Sequence, residues 1–186
     1  MAQSSSSSPT SGTPGADLFY EGKTYKTVVI GTQTWMAENL NYTTTTGSWC
    51  YDGVATNCTT YGRLYDYGTA KTVCPSGWHL PDTTEWNTLE AAVGGTATAG
   101  TKLKAYSTLW SINSGTDIFG FSALPGGIYN SGSFINVGSN AGFWTATVDW
   151  SSVSLSRGMN GLSANVSHGN YYQTDGFSVR CLQDSN

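Results

Sequence analysis

The four cysteines, Cys50, Cys58, Cys74 and Cys181, constrain the fold of this chain more than any other feature. An even number of cysteines in a sequence of extracellular composition favours disulfides, and three pairings are open to four cysteines. Proximity favours Cys50–Cys58, which would close a short loop, and then Cys74–Cys181, which would join the start of the body to its last strand. On the chain-entropy model, the second disulfide closes a loop of about a hundred residues and would add about 4–5 kcal/mol.

Two other uses of the cysteines have weaker support. A zinc site would need close pairs such as C-x2-C, which the spacings lack, and the two histidines lie far from any such pair. A catalytic thiol would need an adjacent base. His79 follows Cys74 in CPSGWHLP, but this histidine enters a helix, where packing or solvent exposure is the simpler role. We therefore expect no catalytic residue and no metal site.

Composition separates the first residues from the rest and excludes some partners. Residues 1–16 are mostly Ser, Thr, Gly and Pro, which predicts a flexible linker or an added tail, and residues 17–186 are expected to form one domain. Eight basic and twelve acidic residues give a net charge of −4 without a basic run, so nucleic acid is not an expected partner. No apolar run is long enough to cross a bilayer. We expect a monomeric domain on a tether, outside the cell or on its surface.

The sequence pattern predicts two short helices among many short strands. The clearest helix begins after Asp82, which forms a capping box with Glu85, and it ends at residues 94–95. A second helix is predicted over residues 61–74, although Gly68 weakens it. Strands are expected in TYKTVVI, in QTWMAENL and in several segments after residue 120. The expected core residues are Trp78, Trp86 and Trp144, with Phe177, Val179 and Cys181 facing one side of the last strand.

Six motifs together resemble the Fibrobacter succinogenes major paralogous domain family. They are IGTQTWMAENLNY, YGRLYDYGTA, CPSGWHLPDTTEW, GFSALPGG, FWTAT and DGFSVRCLQD, and the resemblance covers residues 22–184. The layout is also similar to the C-type lectin-like fold, with Cys74, Gly77–Leu80, Trp144 and Cys181 in corresponding places. The LPDTTEW and GFSVRC pieces resemble formylglycine-generating enzymes, which have a related fold. The resemblance implies an α+β, C-type lectin-like fold, in which two short helices pack on twisted antiparallel strands and disulfides pin long ordered loops.

The activities of these similar proteins are not expected to carry over. Calcium lectins bind sugar through Glu-Pro-Asn or Gln-Pro-Asp followed by Trp-Asn-Asp, and this sequence has neither. No motif therefore indicates a cofactor, and a structural calcium ion stays an open alternative. Formylglycine-generating enzymes need a cysteine pair ahead of the last strand, but no cysteine lies between Trp144 and Phe177. The family itself is associated with secreted and surface proteins of fibre-degrading bacteria, without an assigned activity.

Binding residues are expected in the Gly- and Ser-rich loops of the C-terminal half. Aromatic faces stack on sugar rings, while amides and carboxylates bond to hydroxyl groups. The candidate ligand-binding residues are Tyr129, Asn130, Phe134, Asn136, Trp150, Asn160, Asn170, Tyr171 and Tyr172. Asp149 and Asp175 are either ligand-binding or turn residues.

These residues favour a noncatalytic recognition module for plant-wall polysaccharide or another surface glycan. One alternative is a protein-binding or structural surface module without glycan affinity. Another is a hydrolase, which would need a pair of carboxylates in a cleft.

Overall fold

The computed structural model describes residues 11–185, and in this range strands and short helices alternate in an α+β arrangement. The strands are β1 (Thr13–Pro14), β2 (Leu18–Tyr20), β3 (Lys23–Tyr25), β4 (Thr27–Ile30), β5 (Gln33–Met36), β6 (Ser48–Trp49), β7 (Leu64–Tyr65), β8 (Trp78–His79), β9 (Gly126–Asn130), β10 (Ser133–Val137), β11 (Asn140–Trp150), β12 (Val153–Asn160), β13 (Ser167–Tyr172) and β14 (Leu182–Gln183). The helices are α1 (Ala55–Tyr61), α2 (Tyr67–Ala70), α3 (Thr83–Ala92) and α4 (Thr96–Leu103), with a 3-10 turn at Tyr51–Gly53.

Two five-stranded sheets organise the described chain. The first has the order β1-β4-β5-β14-β8, so the C-terminal strand lies between strands from the N-terminal half. The second has the order β10-β9-β11-β12-β13, in which the pairings are antiparallel except that of β9 with β11. Two two-stranded sheets, β2-β3 and β6-β7, add to this strand pairing.

The predicted linker overlaps the first strand. Residues 1–10 of that linker lie outside the described residues. Thr13 and Pro14 pair with Val29 and Val28 of β4, so backbone pairing begins ahead of the boundary that composition placed at residue 17. The Thr27 hydroxyl also donates to the Ala16 carbonyl oxygen at 2.7 Å.

The helix predictions were right for α3 and wrong elsewhere. The Asp82 carboxylate accepts from the Glu85 amide at 2.9 Å, and the Glu85 carboxylate accepts from the Asp82 amide at 2.8 Å, which is the predicted capping box. The helix predicted over residues 61–74 shrinks to the single turn of α2, because Leu64–Tyr65 pair with β6 instead. The expectation of two helices was also wrong, since α1 and α4 are additional helices in the described range.

The core divides into two clusters of buried side chains that meet both sheets. One contains Trp35 of β5, Trp86 of α3 and Phe143 of β11, and the other contains Trp144, Phe177, Val179 and Cys181. Trp86 and Trp144 are buried as predicted, and Trp78 is half-buried.

Both predicted disulfides are present. The pairs are Cys50–Cys58, within the turn that leads into α1, and Cys74–Cys181, which fixes the C-terminal segment to the loop ahead of β8. They indicate an oxidising, non-cytoplasmic compartment.

Candidate functional site

One end of the second sheet presents a mixed aromatic and polar face. β12 and β13 pair with Val153 opposite Tyr172 and Leu155 opposite Asn170. Cross-strand partners point to the same side of a sheet, as do residues two apart in one strand. Trp150, the last residue of β11, is in turn opposite Val153. Trp150, Val153 and Tyr172 therefore form one row across three strands.

The two aromatic rings of this row are open to solvent. Trp150 is 68% exposed and Tyr172 is 61% exposed. A single exposed aromatic residue needs no explanation, but two in one row form an apolar patch, and such patches mark interaction sites.

A carboxylate and an amide lie beside the rings. Asp149 Oδ2 accepts a hydrogen bond from Trp150 Nε1 at 2.7 Å and another from Asn170 Nδ2 at 3.2 Å. This shared oxygen holds the indole and the amide in one group. Within residues 11–185, the other carboxylate oxygen of Asp149 and the Asn170 side-chain oxygen have no hydrogen-bond partner, so both can accept from the hydroxyl groups of a ligand.

A cleft of about 400 Å³ opens between this face and the turn that joins β9 to β10. We call it the β13 cleft; it is lined by Asn130, Val153, Asn170, Tyr171, Tyr172 and Asp175. Asp175 is buried, and its carboxylate accepts from Asn130 Nδ2 at 3.1 Å and from the Ser131 amide at 2.9 Å. Asp175 therefore fixes the turn and holds the Asn130 side chain in place at the edge of the cleft.

Five of the nine predicted ligand-binding residues meet at this place. Asn130, Asn170, Tyr171 and Tyr172 line the β13 cleft, and Trp150 lies beside it as the cross-strand partner of Val153. Strand alternation separates the two tyrosines, because Tyr171 is opposite Ser154 on the core side of the sheet. The Tyr171 ring packs on Phe177 with the ring centroids 4.7 Å apart. Of the tyrosine pair, Tyr172 alone shares the face of Trp150.

The other four predicted residues lie elsewhere. Tyr129 and Phe134 are half-buried in an aromatic group, where Tyr129 stacks on Trp49 at 4.9 Å between centroids and lies 5.0 Å from Phe134. Asn136 is near the end of β10, where its φ of 66° is left-handed. Asn160 ends β12, at the end of the strand away from the cleft.

A histidine and a buried Glu–Arg ion pair beside the cleft were missed by sequence reasoning. His168 is opposite Arg157 and shares the face of Asn170. Glu90 Oε1 lies 3.1 Å from His168 Nε2 and accepts from Arg157 Nε at 3.1 Å. Burial lowers the pKa of Arg157, and the Glu90 carboxylate opposes that shift. The alternation in SHGNYY is the signal that could have placed His168 with Asn170 and Tyr172.

The other histidine lies between two carboxylates at the first sheet. His79 Nδ1 is 2.6 Å from Asp184 Oδ1, and His79 Nε2 is 2.8 Å from Glu85 Oε1. Desolvation lowers the pKa of His79, but hydrogen bonds to Asp184 and Glu85 outweigh it, so the pKa is raised from its ordinary value. Because Glu85 also caps α3, this group connects the C-terminal segment to the start of that helix.

The described residues contain neither grouped metal ligands nor a membrane-spanning helix. Among residues 11–185, no three His, Cys, Asp or Glu side chains are grouped so that they could hold a metal ion. The helices of this part of the chain are too short or too polar to cross a membrane.

Comparison with known proteins identifies a family that covers most of the chain. The family described as the Fibrobacter succinogenes major domain matches residues 28–183, a range that runs from β4 to the end of β14 and includes the whole β13 cleft. No curated protein and no solved structure gives a significant match.

Proposed function

This chain belongs to the Fibrobacter succinogenes major domain family, and we propose that it is a noncatalytic recognition module that binds a surface glycan, with plant-wall polysaccharide as the first class to test. The observation that carries the proposal is the pair of exposed rings, Trp150 and Tyr172, with the Asp149 carboxylate and the Asn170 amide beside them. Sugar rings offer C–H faces to aromatic side chains and hydroxyl groups to carboxylates and amides, so both halves of this group have a partner on one ligand.

We also propose a C-type lectin-like fold and a location outside the cell or on its surface. The fold proposal is supported by the Cys74–Cys181 disulfide, by the buried Trp144 and by the C-terminal strand inserted between N-terminal strands. The disulfides favour an extracellular location because they persist in oxidising compartments. The Ser-rich N-terminal sequence suggests display on a tether.

The test is a depletion assay on insoluble cellulose, xylan, mannan and peptidoglycan, with and without EDTA. We expect the wild-type protein to bind at least one of them. Trp150→Ala and Tyr172→Ala should each weaken binding about tenfold or more, since truncation of a central aromatic contact costs about 2 kcal/mol. Tyr106→Ala is the matched control, because Tyr106 is 84% exposed but does not line the cleft.

Each outcome separates the alternatives. Loss of binding in both folded variants, with Tyr106→Ala unchanged, supports the glycan site, and sensitivity to EDTA would add a metal ion to it. Release of soluble sugar during the assay would contradict the noncatalytic part of the proposal. Failure of the folded wild-type protein to bind any of the four materials would overturn the proposal and favour a protein-binding or structural surface module.

A further inference from the structure

We infer that the β13 cleft is one end of a longer site that takes an extended, uncharged polysaccharide chain across several consecutive sugar units. This inference rests on the proposed glycan-binding function. It starts from a second cleft of about 320 Å³ that shares Asn170 with the first. We call it the α3 cleft; it is lined by Thr83, Asn87, Leu155, Arg157, His168 and Asn170.

Both clefts include side chains from one face of β12 and β13, and these follow one another along the strands. The cross-strand pair of Val153 and Tyr172 belongs to the β13 cleft, and the pair of Arg157 and His168 belongs to the α3 cleft. Asn170 lies between them. From Tyr172 to His168 the strand runs about 13 Å at about 3.3 Å per residue, which is longer than one sugar ring.

The α3 cleft offers side-chain hydrogen-bonding groups. Asn87 is exposed on α3, and Thr83 lies one helical turn before it. The His168 side chain is 47% exposed, and only its Nε2 is engaged by Glu90. An amide and an imidazole can each donate to or accept from a sugar hydroxyl. The polar α3 cleft thus continues the aromatic β13 cleft.

The charges along both clefts disfavour an acidic ligand. Arg157 is the one Arg or Lys side chain that lines either cleft within the described residues, and it is 3% exposed. Its guanidinium is already bonded to Glu90 and to Asn87 Oδ1. At the end of the proposed site near Tyr172, the nearby charged side chains are the carboxylates of Asp149 and Asp175. The carboxylates of a polyuronate would therefore meet carboxylates without a free cation to pair with them.

The test is the dependence of affinity on chain length, measured by titration calorimetry with β-1,4-linked glucose, xylose and mannose oligosaccharides of one to six units. For the series that binds, we expect affinity to rise at least tenfold from the disaccharide to the hexasaccharide. Oligogalacturonates should bind at least tenfold more weakly than the neutral hexasaccharide. Because these measurements use the wild-type protein, they do not depend on the folding of a variant.

A variant pair locates the far end of the site. His168→Ala should weaken hexasaccharide binding at least fivefold and leave disaccharide binding unchanged, whereas Tyr172→Ala should weaken both. His79→Ala is the matched control, since the only other histidine lies outside both clefts.

The results distinguish this inference from the function on which it rests. Equal affinity for short and long chains, or an unchanged hexasaccharide affinity in folded His168→Ala, overturns the extended site but leaves glycan binding intact. Tighter binding of oligogalacturonates overturns the preference for an uncharged chain. Absence of binding to the insoluble polysaccharides and to all the oligosaccharides overturns both the inference and the proposed function.

Discussion

The two disulfides close loops of very different length, and this should make their contributions to stability unequal. Cys74 and Cys181 are separated by 107 positions, whereas Cys50 and Cys58 are separated by 8. The chain-entropy relation gives about 4.8 kcal/mol for the long loop and about 2.5 kcal/mol for the short one at 25 °C. Replacing Cys74 and Cys181 with alanine should therefore cost about 2 kcal/mol more than replacing Cys50 and Cys58.

Packing should increase this difference. Cys181 is fully buried in the second core cluster, and its carbonyl oxygen accepts from the Met36 amide at 3.0 Å. Cys58 is also buried, but its partner Cys50 lies in a surface turn. Alanine at residue 181 removes a sulfur atom from the core, so a cavity cost adds to the loss of the crosslink.

The assay is thermal unfolding followed by circular dichroism, with the wild-type protein and the two double variants. For a domain of this size, each kcal/mol corresponds to about 2–4 °C in Tm, so we expect losses of about 10–19 °C for the long loop and about 5–10 °C for the short one. Reduced wild-type protein should be less stable than either variant. Equal losses, or a larger loss for Cys50 and Cys58, would refute the loop-length reasoning.

Three further predictions concern charges and backbone. Because the pKa of His79 is raised in the folded state, its ion pairs stabilise the fold fully below about pH 6.5, and this stabilisation is lost as pH rises through the folded pKa. His79→Gln should therefore lower the free energy of unfolding by about 0.5–1 kcal/mol at pH 5.5. In urea unfolding, the variant's free energy of unfolding should depend less on pH up to about pH 8.5 than that of the wild-type protein. An unchanged pH profile would contradict this. Glu90→Gln leaves the buried guanidinium of Arg157 without its carboxylate partner and should lower the free energy of unfolding by about 3–5 kcal/mol in guanidinium unfolding. The double variant Glu90→Leu, Arg157→Met removes both charges and should lose less stability than Glu90→Gln. Equal losses in the two variants would argue against an unpaired charge as the cause. Gly127→Ala should cost more than Gly53→Ala in thermal melts, because both have a left-handed φ but only Gly127 has backbone atoms of a neighbouring strand against the added Cβ. Equal costs would mean that the neighbouring strand gives way.

Elements with local signals were predictable, and elements set by distant partners were not. α3 carries its own start signal in Asp82 and Glu85 and was found. The helix expected over residues 61–74 failed because Leu64–Tyr65 bind a strand that lies earlier in the chain. α4 was missed because TATAGTKL has weak helix propensity. Its Gly100 is required by contact, since the backbone of Asn165 occupies the space a side chain would need.

Buried charges were the least predictable part of the core. The alternating sequence pattern predicted that Phe177, Val179 and Cys181 face one side of the last strand, and all three are buried. Arg180 between them is buried as well. It donates to Asn39 Oδ1 at 2.7 Å and to backbone carbonyls of the first sheet and the segment before β9. Burial lowers its pKa to about 9, against the opposing effect of nearby carboxylates. These partners are more than fifty residues away in sequence, so no local pattern indicates them.

The candidate site was predictable in its residue types but not in its geometry. Aromatic and amide residues in the C-terminal loops led to the selection of Trp150, Asn170 and Tyr172, which the structure places at or beside one cleft. Composition alone also selected Tyr129 and Phe134, whose rings pack against other aromatic residues. Only strand pairing distinguishes a ring on the cleft face from a ring in a packed aromatic group.

The register between β11 and β12 explains why β11 supplies both a core tryptophan and an exposed one. Trp144 and Trp150 are six residues apart in β11, and regular alternation would place them on the same face. Their partners on β12 are Ser156 and Val153, which are three residues apart and so point to opposite faces. Register shifts between Trp144 and Val148, and again between Val148 and Trp150, supply the extra residues. Such bulges re-aim side chains, and here they turn Trp150 away from the core and into the row with Tyr172. The exposed ring therefore depends on irregular pairing in β11, which the spacing of the two tryptophans does not indicate.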